Sequence, residues 1–186
     1  MKNTLTVKKF LGEDGGWLEA CHICSNDIGS GYHYIKYGPK YGIRNYHLTC
    51  FNVMEQKQLN KCDLCINNIH INLKLIEDFK KRVSLKEIEP MKIDDKNTIK
   101  IKISNKFYNQ DMCEECKAKI EHGDIYIDQI SAIKKFHFSC FQKYEKNRLS
   151  KWNTYKSIVQ NNLNKLEPYT NEMICEGLEG IGGRKD

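Results

Sequence analysis

Residues 46–51 read YHLTCF, and residues 136–141 read FHFSCF. The pattern aromatic-His-x2-Cys-Phe therefore occurs twice, and the likeness extends outward from both copies. With a two-residue gap in the second copy, Cys21, Cys24, Ile28, Gly31, Tyr34, Ile35, His47, Cys50, Phe51, Glu55 and Leu59 fall opposite Cys113, Cys116, Ile120, Gly123, Tyr126, Ile127, His137, Cys140, Phe141, Glu145 and Leu149. The lead-in recurs too, as NTLTVK at 3–8 and NTIKIK at 97–102. A duplication of this extent predicts two small modules in a chain of 186 residues.

The four potential ligands explain what is being repeated. Each copy is C-x2-C followed by H-x2-C, with 22 intervening residues in the first and 20 in the second. Three thiolates and one imidazole make a closed tetrahedral donor set, the arrangement of a structural Zn²⁺ site. A tight turn carrying C-x2-C aims two sulfurs at one ion. H-x2-C in the first turn of a helix places the second pair on one face. Cys21, Cys24, His47 and Cys50 are thus expected to hold one zinc ion, and Cys113, Cys116, His137 and Cys140 a second. A module of this size is marginal on its hydrophobic core alone, whereas structural zinc adds on the order of 10 kcal/mol to folding.

The flanking residues supply the scaffold. YHYIKY and DIYIDQI read as strands, and Gly31 and Gly123 as turn residues needing positive φ. Phe51, Phe141, Leu59 and Leu149 are expected in the small cores. FNVMEQKQL and FQKYEKNRL read as helices, with Asn60 and Ser150 as their expected stops. The expected fold class is small α+β zinc-binding modules in tandem, treble-clef-like: β-hairpins plus a short helix carrying H-x2-C, joined by a helical linker. The boundaries are 1–60 for the first module, 61–96 for the linker, 97–150 for the second module, and 151–186 for a C-terminal helix and a flexible glycine-rich tail.

Composition fits an intracellular chain. No apolar run reaches spanning length, and the first residues lack the apolar region of a secretory signal. Nine cysteines in a reducing compartment read as metal ligands before disulfides. The formal charge is +6, and two Cys3His–zinc sites at −1 each would leave +4, a mildly basic balance. Lys and Arg against Asp and Glu number 7 to 5 over 1–60, 11 to 7 over 61–110, and 12 to 12 over 111–186. The excess lies in the middle.

CEECKAKIEHGDIYI with FHFSCFQKYEK resembles the zinc finger of poly(ADP-ribose) polymerases and of a eukaryotic DNA ligase, which shares C-x2-C, Ile-x2-Gly and aromatic-His-x2-Cys-Phe. CHICSNDIGSG with YHLTCF is similar. The two matches cover about 70 of the 186 residues, and both loops are shorter than that family's. The resemblance implies recognition of DNA. The spacing is also similar to the first half of LIM domains, which implies a protein-interaction module, although Val53 and Gln56 stand where a second LIM half would place cysteines.

Other residues form incomplete patterns. Cys62, Cys65 and His70 form C-x2-C-x4-H, a candidate third metal site lacking a fourth ligand unless Cys175 completes it. A RING-like interleaving of Cys21, Cys24, His47, Cys50, Cys62 and Cys65 needs two further ligands. His22, His33 and His122 do not align as ligands, and Trp17 and Trp152 read as packing anchors. Two readings of the partner follow. Lys36, Tyr37, Lys40, Tyr41 and Arg44, with Lys134 and Lys135, are candidates for phosphate pairing and base stacking, making nucleic acid the first expectation. A protein-interaction adaptor is the alternative, and a degenerate RING-like ubiquitin ligase a more distant one. No catalytic motif is present, and a closed four-ligand zinc has no open position for chemistry, so the expectation is a non-enzymatic protein.

Overall fold

The alternation in the lead-in segments becomes the first strand of each module. In the computed structural model, which describes residues 4–11, 20–39, 42–84, 99–104 and 111–174, β1 is Thr4–Lys9 and turns Leu5 and Val7 towards a core while Thr4, Thr6 and Lys8 face out. Strands β2 (His33–Gly38) and β3 (Arg44–His47) complete an antiparallel sheet in the order β1-β2-β3. The second sheet repeats this with β4 (Ile99–Ile103), β5 (Ile125–Gln129) and β6 (Lys134–His137). The registers match position by position. Val7, Ile35 and Tyr46 lie abreast in the first sheet, and Ile101, Ile127 and Phe136 in the second. Gly31 and Gly123 take φ of +90° and +88°. That is the left-handed turn the repeat called for.

Each sheet runs into a long helix. α1 is Leu48–Ser84 and α2 is Phe138–Asn164, followed by a 3-10 turn at Glu167–Tyr169 and a last helical stretch to Ile174. The stops expected at Asn60 and Ser150 do not occur. Neither α1 nor α2 contains a Gly or Pro, and both keep burying residues past those positions, so Asn and Ser are carried through the helix. The joints expected at 60/61 and 150/151 therefore fall inside continuous helices.

The described chain divides into two units, one of Met1–Cys62 with Tyr155–Asp186 and one of Asp63–Thr154. In unit 1, Ile28, Tyr34, Ile35, Tyr46, Leu48 and Phe51 pack with Leu166, and Tyr169 and Met173 lie against them. In unit 2, Ile120, Tyr126, Ile127, Phe136 and Phe141 pack with Ile76, against which Leu75 lies. Each sheet thus covers its own helix start and the far end of the other module's helix. The repeat accounts for this, because it runs on at a constant spacing: 145 − 55, 159 − 69, 162 − 72 and 166 − 76 all equal 90. Ile69, Asn72 and Ile76 are buried in α1 as Val159, Asn162 and Leu166 are at the corresponding positions. Among the described residues no helix is long and apolar enough to cross a membrane.

Candidate metal centres

Each C-x2-C sits on a one-turn knuckle. Ser25 N–H donates to Cys21 O at 2.8 Å and Cys21 N–H to Asn26 O at 2.9 Å; Lys117 to Cys113 O and Cys113 to Ala118 O, both at 2.8 Å, repeat the pattern. The residue after the second Cys closes the knuckle at positive φ, 63° for Ser25 and 60° for Lys117. Short bridges between Ala20 and Asp27, and between Met112 and Lys119, pin the bases of the knuckles. The end of β3 or β6 then brings up His, and the first turn of the helix brings up Cys. The donor atoms of Cys21, Cys24, His47 and Cys50 all lie within 4.8 Å of one another, as do those of Cys113, Cys116, His137 and Cys140.

The donors fit a tetrahedral zinc ion. Zinc–sulfur and zinc–nitrogen bonds of ordinary length give edges of about 3.5–3.8 Å. Nδ1 of His47 is 3.3 Å from Cys24 Sγ and 4.0 Å from Cys50 Sγ, and Nδ1 of His137 is 3.3 Å from Cys116 Sγ. The opposite ring nitrogens are already engaged. Nε2–H of His47 donates to Asp27 O and that of His137 to Lys119 O, each at 3.1 Å, which leaves Nδ1 as the metal-facing lone pair.

Electrostatics gives the same answer. Burial alone would raise the Cys21 thiol, but backbone N–H groups of Cys24, His47 and Ile23 outweigh it and lower the pKa to about 7. Cys113 is lowered to about 6 by the N–H groups of Cys116, His137 and Glu115, again against burial. Cys50 and Cys140 are pushed up to about 12, by burial first and then by the neighbouring sulfurs. Three sulfurs at one point resist joint ionisation, and a divalent cation is what removes that resistance.

The candidate third site is not assembled. Cys62 and Cys65 lie within α1, Cys62 buried and Cys65 partly so, while His70 is exposed, and no third ligand cluster exists among the described residues. A helix offers no knuckle with positive φ, and five residues separate Cys65 from His70 by well over a quarter-turn. Cys175, Trp17, Lys40, Tyr41 and the glycine-rich tail lie outside the described residues.

The nucleic-acid candidates are tied into local contacts. Tyr37 packs edge-on against Phe51, with ring centroids 5.2 Å apart, and Lys36 sits over the Tyr34 ring at 5.5 Å. Arg44 donates to Nε2 of His22 at 2.5 Å. Lys134 pairs with Glu114 at 3.2 Å and Lys135 with Asp111 at 2.5 Å. Sequence reasoning passed over the basic surface of α2, where Lys143, Lys146, Arg148, Lys151 and Lys156 accompany a single acid, Glu145, which is buried. Plotting charge along an unbroken helix would have found it. It also passed over the Glu–Asn pairs: Asn162 Nδ2 donates to Glu55 Oε2 at 3.3 Å, and Asn72 lies beside Glu145.

No family model, no curated protein and no solved structure matches this chain. What stands is a small α+β protein with two Cys3His clusters, each able to hold a metal ion.

Proposed function

We propose that this is a non-enzymatic protein whose two Cys3His clusters hold structural Zn²⁺ and whose helices present basic surface to nucleic acid. The observation that carries the metal reading is the convergence of four donors within 4.8 Å, twice, with the same histidine tautomer. Both donor sets are closed, so the ion would stabilise fold without offering a position for substrate. The nucleic-acid reading is supported by the resemblance to DNA-recognising zinc fingers and by α2, which carries five basic residues and one acid, the buried Glu145. Lysines and an arginine spread over a helix suit phosphate contacts, which carry affinity but little sequence information.

Titration of zinc-loaded protein with single-stranded, nicked and duplex DNA and with RNA, at increasing salt, tests this. The expected result is binding that falls steeply as salt rises. Absence of binding to all four at low salt would remove nucleic acid as partner and leave the zinc reading standing.

A protein partner is the second reading, favoured by the tip of the second sheet. Ile133 there is 93% exposed and holds φ of 51°, a costly conformation for a β-branched residue, beside Ile130 and the ion-paired Lys134 and Lys135.

A further inference from the structure

The two knuckles share a backbone and differ in what surrounds it. His22 N–H donates to Asn45 O and Glu114 N–H to Lys135 O, each at 2.8 Å, and Ser25 and Lys117 both hold positive φ. Four side chains beside each knuckle therefore correspond. His22, Ser25, Arg44 and Asn45 of unit 1 fall opposite Glu114, Lys117, Lys134 and Lys135 of unit 2.

In unit 2 this face holds an anion of its own. The Glu114 carboxylate accepts from Lys117 Nζ and from Lys134 Nζ, each at 3.2 Å, and Asp111 takes Lys135 at 2.5 Å. In unit 1 the place of that carboxylate is filled by the His22 imidazole. Arg44 donates to its Nε2 at 2.5 Å and also reaches the Tyr46 hydroxyl, both neutral acceptors. Among the described residues no carboxylate pairs with Arg44. Two acceptors leave other N–H groups of the guanidinium fork over. Ala20, Cys21, His22, Ser25, Arg44 and Asn45 line a solvent-open recess of about 360 Å³, and none of them is an acid. Cys21 is buried there with its Sγ belonging to the metal cluster, while Ser25 and Asn45 contribute a hydroxyl and a carboxamide.

We propose, on the nucleic-acid reading above, that the unit 1 recess receives a backbone phosphate with Arg44 as its principal contact, and that Glu114 fills the equivalent place in unit 2 and closes that face to binding. The repeat itself indicates the chemistry, because what unit 2 carries at this position is an anionic oxygen group held by two cations. A guanidinium can meet a phosphate through two parallel N–H bonds, and such charge-assisted bonds are roughly twice as strong as neutral ones. Arg44 would exchange neutral partners for a charged one, whereas Lys134 would have to give up an ion pair it already has. An open recess also suits a phosphate that belongs to a chain, since the strand can run on past both sides. The contact adds affinity and no sequence preference.

The test is a salt titration of binding by the full zinc-loaded chain to labelled single-stranded DNA, duplex DNA and RNA of unrelated sequences. Zinc content by native mass spectrometry and melting temperature are followed for each variant. R44Q is expected to weaken binding by about fivefold to tenfold at about 0.1 M salt and to reduce the slope of log K against log salt by about one, alike for every sequence. K134Q removes the same charge from the equivalent position and is expected to change affinity by less than about twofold. H22E writes the acid of unit 2 into unit 1 with Arg44 still in place, and it should reproduce the R44Q loss. E114Q, which releases Lys117 and Lys134, should strengthen binding. Equal affinities of R44Q and K134Q, or no gain in E114Q, would overturn the proposal and leave the nucleic-acid reading intact. A parent that binds none of the three ligands at low salt overturns both. If R44Q loses zinc, the opposite changes expected of H22E and E114Q decide in its place.

Discussion

His47 and His137 each face a sulfur with one ring nitrogen and a backbone carbonyl with the other, so their role as ligands is set before any metal arrives. At this scale the account predicts that Cys24→Ser and Cys116→Ser each cost one zinc ion, seen as a loss of one metal mass per variant. Acidity should do the same to both centres. Cys21 and Cys113 have folded-state values lowered to about 7 and about 6, so their contribution is present above the ordinary thiol value and is lost as pH falls through those values. Zinc release, followed with a colorimetric chelator, is expected between about pH 7 and about pH 4, because protons compete with the metal for the thiolates; two ions still bound at about pH 4 would contradict the thiolate sites. Arg148 offers a third test. Removing its guanidinium leaves the fully buried Glu145 without its cation, so R148Q should destabilise by about 3 kcal/mol in chemical denaturation, and R148Q/E145Q should recover part of that loss.

At the scale of elements, β2, β5, the knuckles and the turn glycines were legible because short-range chemistry fixes them: C-x2-C, the His-x2-Cys at a helix start, and the strand-forming runs YHYIKY and DIYIDQI. The helices were legible only in their first turns. Asn60 read as a stop since Asn is common at helix ends, yet the next Pro after α1 begins is Pro90, and nothing between interrupts propagation. Asn60→Pro separates the two readings. In a continuous α1 it removes a backbone bond and clashes with the preceding turn, costing about 3 kcal/mol or more and lowering both helicity and melting temperature. At a helix end it would be nearly neutral. Ile69, Asn72 and Ile76 against Val159, Asn162 and Leu166 also repeat in the sequence, but their partners lie far along the chain, and no local pattern announces which segment a buried Asn will meet.

For the whole molecule, the duplication sets the plan: two sheets, two donor clusters and two helices, each unit finished by residues from the other half of the repeat. The grouping of four ligands was readable from spacing, whereas the third cysteine pair could not be judged without knowing that Cys62 and Cys65 lie inside α1. Its basic surface likewise required the full length of α2 to be known. The most direct measurement is zinc stoichiometry by native mass spectrometry on protein purified without chelator, repeated on C62S/C65S. The account predicts two zinc ions in both proteins. Fewer than two in the parent, or a third that disappears in the variant, would contradict it.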